Sequence, residues 1–186
     1  IGFFQRPLSA EIFSILAVLL FIFYIYFLYL AKKQRFSYKN LKILTFFTFL
    51  LLVFSYNAFS YDLFNYIFDA KIVTFYNQNP YEHKALDFPS DPMLGFMHWT
   101  HRSYPYGPAW LALTVPISYL GFGYFIVTFF LFKGLMAAGF LGSSYLIYKI
   151  AQKVKLENPQ LILGFFALSP YILIESLVSA HNDIVM

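Results

Sequence analysis

The chain has 186 residues, of which 60% are apolar and 12% are charged, and its mean hydropathy is +0.62. A water-soluble globule of this length cannot cover so much apolar surface, so the composition indicates an integral membrane protein. The net charge of +4 does not indicate a nucleic-acid partner, because the basic residues gather at the ends of apolar runs. The chain has no cysteine, which excludes disulfides and thiolate metal sites.

Four apolar runs are candidates to cross about 30 Å of hydrocarbon. The first contains a single charge, Glu11, and a short basic connection follows it. A break at Gly121-Phe122-Gly123 separates the third run from a short helix that we expect at the membrane interface. The fourth is entered through Asn158-Pro159 and contains Ser169-Pro170. We predict spans at about 8–31, 43–61, 124–148 and 160–178, and the short helix at about 108–120.

Basic residues indicate the orientation, because Lys and Arg in short loops stay on the cytoplasmic side of a membrane. Segment 31–42 holds five of them and segment 149–159 holds three. The loop at about 61–107 is much longer, has three basic residues and carries five acidic ones. We therefore expect a multi-pass protein of the cell membrane. In it, this loop and the triplet His181-Asn182-Asp183 lie on the extracytoplasmic side and share a pocket.

The ends of the chain predict a longer protein. It begins with Ile1 rather than Met, and an apolar run starts at Ile184-Val185-Met186. We therefore expect an all-α membrane domain over residues 1–186 that is a fragment of a larger multispan fold.

The start of the outer loop has the pattern of an amphipathic helix. Asp62, Asn65, Tyr66 and Asp69 recur at helical spacing opposite an apolar face, which predicts a helix at about 61–76 lying in the membrane surface. A carboxylate at such a boundary can act as a general base toward a sugar hydroxyl. The alternative is that Asp62 caps or solvates the end of the helix.

Two further segments of the loop are candidates for ligand binding. Asn79-Pro80-Tyr81 is typical of a turn, with the tyrosine in the headgroup zone of the membrane. Tyr104-Pro105-Tyr106-Gly107-Pro108 makes the entry to the next helix rigid, and its rings either face a sugar or hold the membrane interface. His98 and His101 either reach a phosphate or a metal, or are surface histidines.

Charged residues inside the predicted spans form a second group of candidates. An ammonium at Lys133 is costly in a membrane, so it either faces a cavity, a partner or a functional anion, or snorkels to the surface. Glu175 is a functional candidate or the ion-pair partner of Lys133. The triplet His181-Asn182-Asp183 offers ligands for a divalent cation, although one triplet does not define a coordination sphere.

The order of these motifs resembles a known family. The pattern runs from Asp62 and Tyr66 through Asn79-Pro80-Tyr81 and the Tyr104 to Pro108 segment to Lys133, Ser169-Pro170 and His181-Asn182-Asp183. It is similar to the N-terminal half of the polyprenol-phosphate-mannose-dependent mannosyltransferases of the GT-C superfamily, near the bacterial α-1,6-mannosyltransferases of lipoglycan assembly. The resemblance covers about residues 60–186.

The resemblance implies a polyprenyl-phosphate mannose donor, an extracytoplasmic glycan or glycolipid acceptor, and Asp62 as the catalytic base. Family members often have arginine where this chain has Lys133, so a donor phosphate is expected there, with Arg102 or His181 assisting. Further residues are expected to line the sugar site, to orient hydroxyls or to hold a divalent cation. They are Tyr66, Asp69, Asn79, Tyr81, Tyr104, Tyr106, Glu175, Asn182 and Asp183.

Two other classes of protein remain open. A lipid or glycolipid transporter or flippase would also place charged residues within its spans, but it would keep them near the midplane of the bilayer. A non-catalytic membrane subunit of glycan assembly could bind the same lipid-linked sugar without transferring it.

Overall fold

The computed structural model describes residues 6–33, 35, 37–57 and 59–186, and within these ranges it contains helices and no strand. The expected all-α membrane fold is confirmed. The longer helices are α1 (Arg6–Lys32), α2 (Tyr38–Val53), α3 (Asp62–Thr74), α4 (Pro108–Leu120), α5 (Phe125–Lys153) and α6 (Pro159–Ala167). The short α7 (Pro170–Leu173) continues into a π-helical turn, Ile174–Val178. Three 3-10 turns lie at Ala85–Asp87, Pro92–Phe96 and Asn182–Ile184.

Two helices in the described part of the chain, Pro7–Lys32 and Phe125–Lys153, are long and apolar enough to cross a membrane. They correspond to the predicted spans at 8–31 and 124–148. The pair Pro159–Ala167 and Pro170–Val178 is bent by 48° and gives a third crossing if it acts as one span. The bend lies at Pro170, which has no backbone N–H to continue the helical hydrogen bonds.

The second predicted span, 43–61, differs from the structure. Helix α2 begins earlier, at Tyr38, and ends at Val53. Its 16 residues correspond to about 24 Å at 1.5 Å per residue, less than the hydrocarbon thickness. Beyond its end, the Asn57 side chain donates hydrogen bonds to the carbonyl oxygens of Ser60 and Ser179, at 2.8 and 2.9 Å. These bonds stabilise a non-helical path at Asn57 and Ser60, within the uncharged run that we predicted to be a span.

The chain divides into two compact units, of which the first comprises Ile1–Leu50 and Leu141–Ile174. Helix α6 packs closely on α1, because a Cβ added at Gly164 would lie 3.1 Å from the Phe27 ring. The Asn158 side chain caps α6 by accepting a hydrogen bond from the backbone N–H of Leu161, and it donates to the Ala31 carbonyl. The last turn of α1 and the α5–α6 connection therefore meet at one end of this unit.

The second unit comprises Leu51–Phe140 and Glu175–Met186, and α3 lies at its centre. The apolar face of α3 packs against α4 and the first half of α5. The helix α4 spans the residues predicted for it, 108–120, because Pro108 supplies a first residue with fixed φ and Gly121 follows its last. The core residues around α3 include Leu63, Phe64, Ile67, Phe68, Trp110, Phe132 and Met136.

The prediction that α3 presents an open polar face is wrong beyond its first residue, Asp62, which is partly exposed. Asn65, Tyr66 and Asp69 on its polar face are 2%, 2% and 8% exposed, so this part of the face is buried. The segment that returns from the turn at Pro80 to α4 covers this polar face, and the Asn65 amide donates to the Trp99 carbonyl at 3.2 Å. These three residues of the polar face therefore lie inside the second unit, and Asp62 at its start remains accessible.

Candidate active site

Asp62 is the first residue of α3, and its carboxylate lines a cavity of about 250 Å³. One carboxylate oxygen, Oδ1, accepts a hydrogen bond from the indole Nε1 of Trp99 at 3.1 Å. The side chain is 23% exposed, so the carboxylate can be reached from outside. The cavity is lined by Phe59, Ser60, Tyr61, Asp62, His98 and Trp99.

The structure also tests the alternative that Asp62 caps the N-terminus of α3. The N-cap residue of α3 is Tyr61, which makes no side-chain capping bond, and the carboxylate of Asp62 is bound to Trp99 instead. The helix N-terminus nevertheless favours a negative charge at this position. Asp62 therefore holds one carboxylate oxygen on Trp99, and its second oxygen faces His181 at 3.8 Å.

His181 lies between two carboxylates. Its Nε2 is 3.8 Å from Oδ2 of Asp62, and its Nδ1 is 3.5 Å from Oε2 of Glu175. Both contacts become ion pairs when the imidazole is protonated, and all three side chains are partly exposed. The structure thus brings together the outer loop and the His181-Asn182-Asp183 triplet, which are about 120 residues apart in the sequence.

Beneath this group, Tyr66 and Asn182 form a buried contact. The Tyr66 hydroxyl donates to Oδ1 of Asn182 at 3.1 Å, and the Tyr66 ring meets Tyr106 and Trp110 edge to face at 5.3 and 5.4 Å. Burial raises the pKa of Tyr66 well above its usual range, so the hydroxyl stays a hydrogen-bond donor. Tyr66 is 2% exposed and Asn182 is 4% exposed. The pair therefore fixes the position of the His181 turn and does not line an open pocket.

Asp69 is a buried carboxyl group on the same face of α3. Burial raises its pKa to about 7, and the nearby positive charge of Arg102 acts in the opposite direction. Its Oδ2 atom has no hydrogen-bond partner among the described residues. The same holds for three other buried polar atoms of the second unit, the Oδ1 of Asn65, the hydroxyl of Tyr104 and the Nε1 of Trp110. Buried polar atoms are normally paired, so this group can bind water or the hydroxyls of a ligand.

The raised pKa of Asp69 predicts a pH dependence of stability. Because the folded pKa of about 7 lies above the ordinary value of 3.8, the free energy of unfolding falls as the pH rises from about 4 to about 7. The shift corresponds to at most about 4 kcal/mol. The variant Asp69→Asn cannot ionise, so we expect its stability relative to the native protein to increase over this interval. Thermal unfolding in detergent at pH 4.5 and 8 measures the difference.

The matched control for that measurement is Asp183→Asn, which removes an exposed carboxylate from the same unit. Its stability relative to the native protein should change little between the two pH values. Parallel pH dependences for the Asp69→Asn variant and the native protein would show that Asp69 ionises normally in the fold.

Lys133 is not placed to bind a donor phosphate. The residue is 1% exposed, and its ammonium group donates to the carbonyl oxygens of Leu177 and Val178 at the end of the π-helical turn. Among the described residues it makes no ion pair with Glu175, which pairs with His181 instead. Its burial also rules out the alternative that the side chain snorkels to the surface. The bent helix leaves carbonyls without helical partners, and the lysine satisfies them.

Other predicted site residues lie in local turns or at the surface. Asn79 is exposed and bonds within its own turn, to the backbone N–H of Tyr81 and to Glu82. The Tyr81 hydroxyl donates to the Tyr106 carbonyl at 3.2 Å, so it braces the segment that carries Tyr104 and Tyr106. Asp183 is exposed.

Two residues that hold the site were not singled out from the sequence. Trp99 donates to Asp62, and the guanidinium of Arg102 lies 6.0 Å from its ring and 5.8 Å from that of Tyr106. Asn57 joins the end of α2 to Ser179, two residues before His181. The sequence does contain a signal for Trp99, because a tryptophan stands out in a polar loop, between His98 and His101. No local pattern indicates the role of Asn57.

A divalent cation was expected as one possibility at the His181 triplet. Among the residues that the structure describes, no group of three or more His, Asp or Glu side chains converges in a way that could hold a metal ion.

The fold and these side chains define an all-α membrane protein with a carboxylate, a histidine and a second carboxylate in a row beside a polar interior. A family model described as alpha-(1->6)-mannopyranosyltransferase, N-terminal domain, matches residues 5–186. The chain belongs to this family, which confirms the resemblance found in its motifs and supports a mannosyltransferase activity. No curated protein and no solved structure matched the chain.

Proposed function

We propose that the protein transfers mannose from a polyprenyl-phosphate donor to an extracytoplasmic glycan or glycolipid, with Asp62 as the general base. The observation that carries the proposal is the position of Asp62. Its carboxylate is partly exposed at a cavity, held on one oxygen by Trp99 and open on the other toward His181. Membership of the family supports mannose as the transferred sugar, and the geometry of Asp62 supports its choice as the base.

The reaction proposed is a single displacement. The acceptor hydroxyl gives its proton to Asp62 while its oxygen forms a bond to the anomeric carbon of mannose. The bond between that carbon and the phosphate oxygen breaks at the same time, and the polyprenyl phosphate leaves with the electron pair. Phosphate is a good leaving group, so no general acid is needed, and the anomeric configuration inverts.

Positive charge for the leaving phosphate is assigned to His181 and Arg102 in this proposal, and no longer to Lys133. His181 is partly exposed and borders Asp62, whereas Lys133 is held by two backbone carbonyls. Arg102 lies at the rings of Trp99 and Tyr106, and its planar group can make two parallel bonds to a phosphate. Such charges act strongly where water is excluded.

The polar interior beside α3 supports a site for the sugar hydroxyls. Asp69, Asn65 and Tyr104 each present a buried polar atom without a partner in the described structure. Aromatic rings lie in the same region. The ring centroids of Tyr104 and Tyr106 are 5.6 Å apart, and those of Tyr66 and Tyr106 are 5.3 Å apart. Sugars combine hydroxyls with apolar ring faces, so this mixture of groups suits a hexose once the segment that covers α3 moves aside in the proposed enzyme.

The extracytoplasmic location is part of the proposal and comes from the distribution of charge. Eight basic residues lie in the two short segments 31–42 and 149–159, and the loop that carries Asp62 holds five acidic residues. A lipid-linked sugar presented at the outer surface would meet Asp62 there.

The experiment that tests the proposal is a transfer assay with the purified protein in detergent or liposomes. Radiolabelled polyprenyl-phosphate mannose should yield a labelled glycan or glycolipid, and a nucleotide-activated mannose should not replace it as donor. Transfer from the nucleotide sugar alone would contradict the assigned donor. Movement of the labelled lipid across liposomes without transfer would instead show a flippase, and tight binding without either would show a non-catalytic subunit.

A further inference from the structure

A second cavity lies in the first unit, and none of its lining residues belongs to the candidate active site. It is a groove of about 560 Å³ between α2, the second half of α5 and α6. Its wall is largely apolar, with Ile43, Leu141 and Leu163 among its lining residues. Phe46 and Phe47, on its α2 wall, are 50% and 56% exposed. The groove is therefore a hydrocarbon-like surface that the first unit itself does not cover.

Two hydroxyl groups in this wall have no partner. Thr45 on α2 is 6% exposed and Ser144 on α5 is 5% exposed, and both line the groove. The Oγ1 of Thr45 and the Oγ of Ser144 are buried and make no hydrogen bond to any described residue. A buried hydroxyl without a partner is costly, and in a helix it usually bonds to a backbone carbonyl one turn earlier. A rotation about χ1 would turn these hydroxyls toward the groove, where they would donate to oxygen acceptors of an occupant.

Positive charge lies at the same groove. Lys42 lines it, with its ammonium 5.2 Å from the centre of the Tyr38 ring. Lys149 lies 5.6 Å from the ring of Tyr145, which also lines the groove. The two short segments that meet at this end of the unit hold eight basic residues and one acidic residue, Glu157. The charge therefore favours an anionic occupant.

We propose that this groove binds an anionic phospholipid of the membrane. One acyl chain lies along the phenylalanine wall, the glycerol ester oxygens accept hydrogen bonds from Thr45 and Ser144, and the phosphate pairs with Lys42. Lys42 is the fifth residue of α2, about one turn from the start of the helix, where the headgroups of a bilayer would meet it.

The three features together select this ligand. A soluble phosphate would match the lysine but leave the apolar wall in contact with water. A neutral lipid would cover the wall but leave the excess of positive charge without a partner. An anionic phospholipid has hydrocarbon, ester oxygens and phosphate in one molecule, in the order in which the groove presents their partners. This site is independent of the proposed sugar transfer, which uses residues of the second unit.

The test is lipid competition on the purified protein. The protein in detergent is mixed with equal amounts of phosphatidylglycerol and phosphatidylcholine with identical acyl chains, and native mass spectrometry counts the lipids retained. We expect phosphatidylglycerol to be retained preferentially. The variant Lys42→Gln should lower that preference roughly tenfold, the effect expected for one charge-assisted hydrogen bond.

The matched control is Lys39→Gln, which removes an equal charge from an exposed lysine on the same helix that does not line the groove. Its lipid preference should equal that of the native protein. Ser144→Phe, which fills the groove, should abolish retention of both lipids while the melting temperature shows a folded protein.

Three results would overturn the proposal. The first is equal retention of the two lipids by the native protein, and the second is an equal loss in the Lys42→Gln and Lys39→Gln variants. The third comes from a photo-crosslinker placed at Phe46. If it captures a second copy of the chain instead of lipid, the groove is a protein interface.

Discussion

The variant Asp62→Asn is expected to lose mannose transfer, with kcat lower by about a hundredfold to ten-thousandfold, the usual contribution of a positioned general base. Asparagine has the shape of aspartate and keeps an oxygen that can accept the hydrogen bond from Trp99 at 3.1 Å. It cannot take a proton from the acceptor hydroxyl. The initial rate of transfer from labelled polyprenyl-phosphate mannose, at saturating donor, measures the effect.

Two comparisons show whether the loss reflects chemistry. Asp87→Asn removes another exposed carboxylate from the same unit, and its rate should equal that of the native protein. The melting temperature of Asp62→Asn should also stay near the native value. Among the described residues, the one contact with a charged neighbour that it weakens is that with His181, which is 3.8 Å long and partly exposed. Near-native turnover by Asp62→Asn would remove this residue from the mechanism.

The second large effect is expected at Lys133, and it concerns stability. In Lys133→Met the carbonyls of Leu177 and Val178 lose their hydrogen-bond donor in a buried position. Each unpaired carbonyl costs about 1–3 kcal/mol, and the removal of a buried ammonium offsets part of this. We expect a net loss of about 1–3 kcal/mol on this balance, seen as a lower melting temperature. The donor KM of the protein that remains folded should not change.

A lysine on the same helix provides the control. Lys153→Met removes an equal charge from the exposed last residue of α5 and should lower the melting temperature much less. If Lys133→Met instead raises the donor KM and leaves the melting temperature unchanged, the ammonium reaches the donor phosphate in the working enzyme, as the family resemblance suggests.

The sequence predicted those elements whose signals are local. Pro108 and Gly121 mark the ends of α4, and Asn158-Pro159 marks the start of α6, where the asparagine caps the helix as its residue type predicts. A count of basic residues predicted that Asp62 and His181 lie on one side of the membrane, which permits the short distance between them that the structure has. These inferences need no knowledge of which helices touch.

The burial of α3 could not be predicted in this way. Periodicity shows that Asn65 and Asp69 share a face, but it does not show what covers that face. In the structure the covering segment comes from beyond Pro80, and its contacts with α3 include a backbone carbonyl, that of Trp99. A carbonyl is present at every residue, so no sequence pattern reports such a contact. The partners of Lys133 were hidden for the same reason, since both are carbonyls.

Because of the π-helical turn Ile174–Val178, the orientation of His181 depends on the number of residues that precede it in the bent helix. A π turn contains one residue more than the corresponding α turn, and each residue of a helix advances it by about 100°. Removing one residue between Pro170 and His181 would therefore rotate the segment that follows by roughly a quarter of a circle. The imidazole would then turn away from the carboxylates of Asp62 and Glu175 even though every side chain of the group was still present.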